Sequence, residues 1–211
     1  MTCSFRGKKN RRSKCAIQSL FVQYGFIAGS EYREMKGDQM TLALRRLLAY
    51  WLDFVLLAII LVDLQGLVYI TTSGFPFHFL KEGYHIEIWV LLSMSLPVWL
   101  YFIWFELNQQ QTLGKRMLKL KVTNRERSKI TFRQAFLRTF IRLLPWELTH
   151  IIILVPEPWW GMEGPPAHMH LIYIPNLMLL LYILILFAGK GEKGVHDMAA
   201  KTMVMRIRDE R

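Results

Sequence analysis

Cysteine is scarce in this 211-residue chain: Cys3 and Cys15 are the only two, and both lie in a basic N-terminal stretch. No disulfide can therefore tie distant loops together, and reduced thiols on the cytoplasmic side are expected. Acidic charge is also low, with 16 Asp and Glu against 27 Lys and Arg and a net charge of +11. In a soluble protein that balance points to nucleic acid, but the placement of the basic residues argues against nucleic acid here. The start, MTCSFRGKKNRRSKC, is basic, yet no apolar stretch with a small-residue cleavage site follows it. No cleaved signal peptide is expected. No internal repeat of fixed period is visible.

Long apolar runs are abundant. Apolar residues make up 53% of the chain and cluster, which points to a membrane protein. Residues 1–39 read as a partly disordered cytoplasmic tail, with a weak apolar patch at 19–28 that is too short to span. Residues 42–62, LALRRLLAYWLDFVLLAIILV, are long enough to cross and would serve as an uncleaved signal anchor; the full first helix is expected over 41–64. A loop over 65–85 carries the turn signals Thr71, Thr72, Ser73, Gly74, Pro76 and Gly83. The second helix is expected over 86–105, kinked at Pro97, with Trp99, Tyr101 and Trp104 suited to a membrane interface.

The segment 106–146 is basic. Met117, Leu118, Leu120, Val122 and Ile130 suggest two short strands or a surface hairpin around 124–128. Residues 132–144 then read as an amphipathic helix. At 100° per residue, Gln134, Arg138 and Arg142 share one stripe, with Phe132, Phe136, Thr139, Phe140 and Leu143 opposite. This predicts a helix lying in the headgroup plane. A third span over 143–155 offers only 13 residues before Pro156 and contains Pro145, Glu147 and His150. The last span is expected over 171–188, with Pro175 and Asn176 near its start.

The charge distribution supports four spans. Ten Lys and Arg fall in 1–46, ten in 106–147 and six in 189–211, leaving Lys81 alone elsewhere. With both termini cytoplasmic, 26 of 27 basic residues lie on one side, a strong positive-inside signal. The expected fold is an all-α membrane protein with four transmembrane helices and a cytoplasmic-side amphipathic helix before the third. Residues 40–205 form the transmembrane domain and 206–211 a C-terminal tail.

Several polar groups carry possible chemistry. Asp53 lies inside the first span, where an unpaired charge costs at least about 2.5–3.5 kcal/mol. Arg46, Tyr50 and Asp53 share one helical face, but Arg46 and Asp53 are about 10.5 Å apart along the axis. Tyr50, water, or a partner such as Lys115, Arg138 or His196 would have to meet the acid. Asp53 is then either a cation- or proton-binding carboxylate or part of a charge cluster that locks helices. Glu147 and His150, spaced i, i+3 after Pro145, either bind an ion at opened backbone carbonyls or sit at an interface. Lys115, Arg116 and Arg142 suit anionic lipid headgroups.

The 112–119 loop lacks the first Gly of a phosphate-binding loop and has Arg116 where Ser or Thr is needed, which excludes nucleotide binding. His196 and Asp197 lack a nearby nucleophile, so catalysis is not expected. His78, Glu82, His85, Glu163, His168 and His170 do not form a recognised metal set, and neither a metal nor a cofactor is expected.

The ordered pieces Arg46-Leu-Leu-Ala49-Tyr50-Trp-Leu-Asp53, Thr112-Leu113-Gly114-Lys115-Arg116, an arginine at Arg138, and His196-Asp197 followed by Thr202 together resemble the RDD family of membrane proteins. The family takes its name from one arginine and two aspartates. The resemblance runs from about residue 40 to 204. It marks Arg46, Asp53, Arg138 and Asp197 as family-motif positions. It implies transport of a small solute such as a monovalent cation in exchange for protons, with Asp53 as the titrating group and Asp197 anchoring a cytoplasmic gate. The alternative is a non-transporting accessory or scaffold subunit. The expected location is a bacterial cell (inner) membrane. A homo-oligomer or a partner membrane subunit is expected, because one four-span chain is thin for a carrier.

Overall fold

Apolar side chains with nothing to pack against but lipid dominate the long helices. Helix α1 spans Thr41–Thr71, with Leu44, Leu48, Trp51, Val55, Ile59 and Val62 all exposed on its outer face. Its 31 residues extend about 46 Å, beyond a hydrocarbon core of about 30 Å. The helix outruns the expected end at 64 because its far end is held. Trp89 Nε1 donates to Gln65 Oε1 at 3.1 Å, and the Thr71 and Thr72 hydroxyls bond back to carbonyls of Leu67 and Val68.

The computed structural model describes residues 41–161, 163–164 and 166–207. The expectations for 1–39, with Cys3, Cys15 and the patch at 19–28, and for residues 208–211 lie outside the described residues.

Helix α2 covers Gly83–Asn108. It widens to a π turn over Leu91–Ser95, just before Pro97. That widening accommodates a residue with no N–H to donate. Helix α3 is the short Leu113–Met117, capped by the Thr112 hydroxyl. Strand β1, Leu120–Asn124, follows. Helix α4 is Phe132–Leu154, α5 is Met169–Ala188, α6 is Val195–Ala200, and strand β2 is Thr202–Arg206. Among the described residues, α1, α2 and α5 are long and apolar enough to cross a membrane.

Three expectations need correction. First, the fold is mostly helical but not all-α: β1 and β2 pair antiparallel with Val122 opposite Val204. A turn does form at Asn124–Ser128, yet β1 finds its partner about 80 residues later and not in a local hairpin. Val122 and Val204 point into a small core with Ala49, Leu120, Ile130 and Ala135, and that burial fixes the register.

Second, the amphipathic helix and the following apolar stretch are one helix, α4, running through Pro145. Proline removes the bond to the carbonyl four residues back. Tyr182 Oη on α5 donates to that Ile141 carbonyl at 2.8 Å. The start of α4 is fixed by a capping box between Thr131 and Gln134.

Third, the polar stripe of α4 faces inward. Arg138 is fully buried, and of the opposite face Thr139 and Leu143 are buried as well, whereas Phe132, Phe136 and Phe140 are exposed. The stripe meets partners inside the protein, so the helix is not a headgroup-plane amphipath over this stretch. Helix α4 sits centrally and packs on α2, α5 and α6.

Candidate functional site

Two polar centres lie inside the bundle, near opposite ends of the helices. Glu87 and Glu106 mark them on α2. Nineteen residues separate the two, about 28 Å along a helix.

At the first centre, Asp53 is 1% exposed. Its carboxylate accepts from Tyr101 Oη at 2.6 Å, Thr112 Oγ1 at 2.5 Å and the Gly114 backbone N–H at 2.7 Å. All three donors are neutral. None of the partners expected for Asp53 holds it: Tyr50 stacks on Phe102 instead, and Arg46 turns to Asp197. The 112–116 turn thus docks on α1 through one carboxylate. Glycine is required at 114 because a Cβ there would collide with the Ala49 carbonyl and press on the Asp53 carboxyl carbon.

Beside it runs a chain of buried ion pairs. Glu106, fully buried, accepts from Lys115 Nζ at 2.5 Å, Arg142 Nη1 at 2.9 Å and Arg138 Nε at 3.0 Å. Arg138 spans two carboxylates, its Nη1 reaching Asp197 Oδ1 and also Thr202 Oγ1. Asp197 in turn accepts from Arg46 Nη2 at 2.5 Å and from the Gly194 N–H at 2.8 Å, which fixes the start of α6. Arg46 Nη1 donates to the Gly191 carbonyl at 2.9 Å. Its Nη2 lies 3.3 Å from His196 Nε2, and since arginine has no acceptor, that nitrogen accepts.

Burial, together with Arg138, Arg46 and Arg142, holds His196 well below its ordinary 6.5, so the ring is neutral. Burial lowers the Lys115 ammonium to about 7, with Glu106 opposing and Arg142 and Arg138 adding to the fall. The network joins α1, α2, α3, α4, α6 and β2.

Of the three residues expected at lipid headgroups, two lie inside the bundle. Lys115 and Arg142 are each only 8% exposed at the side chain and bind Glu106. Burial takes them off the outer surface of the protein, while Arg116 is exposed.

At the second centre, His150 bridges two carboxylates. Its Nδ1 is 2.8 Å from Glu87 Oε2, and its Nε2 is 2.9 Å from Glu147 Oε2. Glu147 also accepts from Ser95 Oγ at 3.0 Å and Trp99 Nε1 at 2.7 Å. The π turn of α2 delivers Ser95 to this point. Glu87 Oε1 is buried without a hydrogen-bond partner among the described residues. A neutral imidazole donates from one nitrogen only, and ionised carboxylates only accept. Both bonds are satisfied together only when the unit holds one proton beyond that neutral state. An imidazolium donates from both ring nitrogens and meets a carboxylate oxygen at each, which places the proton on the ring.

The structure thus brings Arg46, Arg138 and Asp197 into one network, places Asp53 against the 112–116 turn, and joins Glu147 to His150. It does not gather the loop histidines: His78, His168 and His170 each bond a nearby backbone carbonyl. Sequence reasoning missed Glu106 and Glu87. Each lies within a turn or so of the end of an apolar run, where an acid ordinarily faces water.

No curated protein and no solved structure matches the chain. The model of the RDD family matches residues 40–201, a stretch that takes in both polar centres. The chain is therefore a membrane protein that belongs to the RDD family.

Proposed function

We propose that the chain exchanges protons for a small monovalent cation across a bacterial inner membrane, with Glu87, His150 and Glu147 holding the proton. In this reading α4 is a fourth span, both termini are cytoplasmic, and the carrier works as a homo-oligomer. The observation that carries it is His150 between two carboxylates on apolar helices, with Glu87 Oε1 buried and unpartnered among the described residues. Ionisable groups inside a bundle mark ion pathways and proton relays by default. A cation that replaces the proton would find carboxylate oxygens already pointing inward. Asp53, with three neutral donors filling its carboxylate, suits a fixed joint and not the titrating role the sequence suggested.

Flux tests the proposal. Purified protein in liposomes holding a pH-sensitive dye should move protons when a sodium or potassium gradient is imposed. His150→Gln should bring that flux to background while the protein stays folded and monodisperse. Unchanged flux in the variant would overturn the role of the triad.

The second reading, a non-transporting accessory subunit, draws on the other centre, whose fully buried ion pairs suit a packing lock. Absence of flux in the wild type would favour it.

A further inference from the structure

Two cavities meet at the charged end of the bundle. One, about 110 Å³, is lined by Arg46, Lys115, Arg142 and His196, with Leu179 and Ile183 of α5 completing the wall. The other, about 270 Å³, is lined by apolar groups of α1, α2 and α4, including Leu57, Leu61, Val98 and Trp146. Tyr50 and Phe102 line both, so the two cavities are neighbours at this pair of rings.

Charge in the basic cavity is unbalanced. Arg46, Lys115 and Arg142 line it against one carboxylate, Asp53, whose oxygens are already occupied by neutral donors. Across the whole cluster three buried guanidiniums, Arg46, Arg138 and Arg142, and Lys115, which burial lowers to about 7, face Glu106, Asp197 and Asp53. Arg142 is 8% exposed at its side chain, and its Nε is buried with no hydrogen-bond partner among the described residues. Its guanidinium lies 4.0 Å from the Phe102 ring centre, at the junction of the two cavities. A buried guanidinium donor without an acceptor is costly. An anion in the cavity would satisfy it and offset the charge excess.

We propose that the two cavities form one binding site for a phospholipid with an anionic headgroup, its phosphate on Arg46 and Arg142 and one acyl chain along Leu57, Leu61 and Val98. The apolar cavity favours a chain-bearing anion over a free one. Trp146 and Phe54, which line it, are 51% and 38% exposed, so the chain can enter sideways from the bilayer. The site is independent of the Glu87–His150–Glu147 centre and of any transport.

Delipidated protein in a neutral detergent should be titrated with phosphatidylglycerol, phosphatidylcholine of the same chains, and inorganic phosphate, with bound lipid counted by native mass spectrometry. Phosphatidylglycerol should saturate at one per chain and bind at least about tenfold more tightly than phosphatidylcholine, because both lipids carry the phosphate but only phosphatidylcholine adds a quaternary ammonium that the cations of the cavity repel. Arg142→Gln should remove that preference. Because Arg142 also pairs with Glu106, a second variant guards against misfolding. Ala58→Phe, which fills the apolar cavity, should weaken phosphatidylglycerol binding by a similar factor with the ion-pair network untouched. Equal binding of both lipids would overturn the proposal. So would competition by inorganic phosphate as effective as that of the lipid, or an Ala58→Phe protein that binds like wild type.

Discussion

Glu106→Gln is expected to cost about 3–5 kcal/mol, the range seen when one partner of a buried pair is removed. That is a large share of a total stability of about 5–15 kcal/mol. Three cations point at this one carboxylate: Lys115, Arg138 and Arg142. Glutamine keeps the shape but replaces one acceptor oxygen with an NH2 donor that faces another donor. Arg138 retains Asp197, but Lys115 and Arg142 lose the one carboxylate that pairs with them among the described residues. The check is denaturant or thermal unfolding of purified protein, together with the amount of folded protein in the membrane fraction. Adding Lys115→Met to the variant should recover part of the loss, because one stranded ammonium is then gone. Wild-type stability in Glu106→Gln would show that the network does not hold the fold.

The second large effect is expected from Arg138→Lys, a change that keeps the charge. Arg138 reaches Glu106 through Nε and Asp197 through Nη1. A lysine ammonium is one point on a flexible stem and cannot serve two carboxylates lying on opposite sides of a guanidinium. One charged hydrogen bond is lost, worth about 1.5–3 kcal/mol. Thermal unfolding should therefore place Arg138→Lys between wild type and Arg138→Ala. Equal melting of the lysine variant and wild type would show that bridging is unimportant and that charge alone suffices.

Much of this architecture was visible in the residues. The apolar runs announced α1, α2 and α5, and the charges Arg46, Asp53, Arg138 and Asp197 stood out by their motifs. Their partnership did not, because Arg46 and Asp197 are 151 residues apart and Arg138 and Asp197 are 59 apart. Local periodicity says nothing about such distances. A helical wheel separated the two faces of α4 but could not say which one turned inward. With buried carboxylates on α2 and α6 available, the arginines went in and the phenylalanines went out. Pro145 read as a break because only the chain before and after it was visible. Tyr182, 41 residues on from the freed Ile141 carbonyl, supplies the missing donor. The alternation at Leu118, Leu120 and Val122 was a real strand signal. Its partner is equally short and lies about 80 residues later, and local alternation does not say which distant segment a strand pairs with.

The two centres divide the buried acids into different jobs. Asp53, Glu106 and Asp197 are saturated by donors, and they fix α1, α2, α6 and the 112–116 turn against one another. Glu87 and Glu147 share a single histidine and leave one carboxylate oxygen without a partner among the described residues. The central claim is that this second unit carries an extra proton on His150 in the resting protein. Nitrogen-15 NMR of ring-labelled histidine in lipid-embedded protein, with the His150 signal assigned by its loss in His150→Gln, measures this directly. The account predicts that both ring nitrogens of His150 bear hydrogen at neutral pH. One bare and one protonated nitrogen would contradict it.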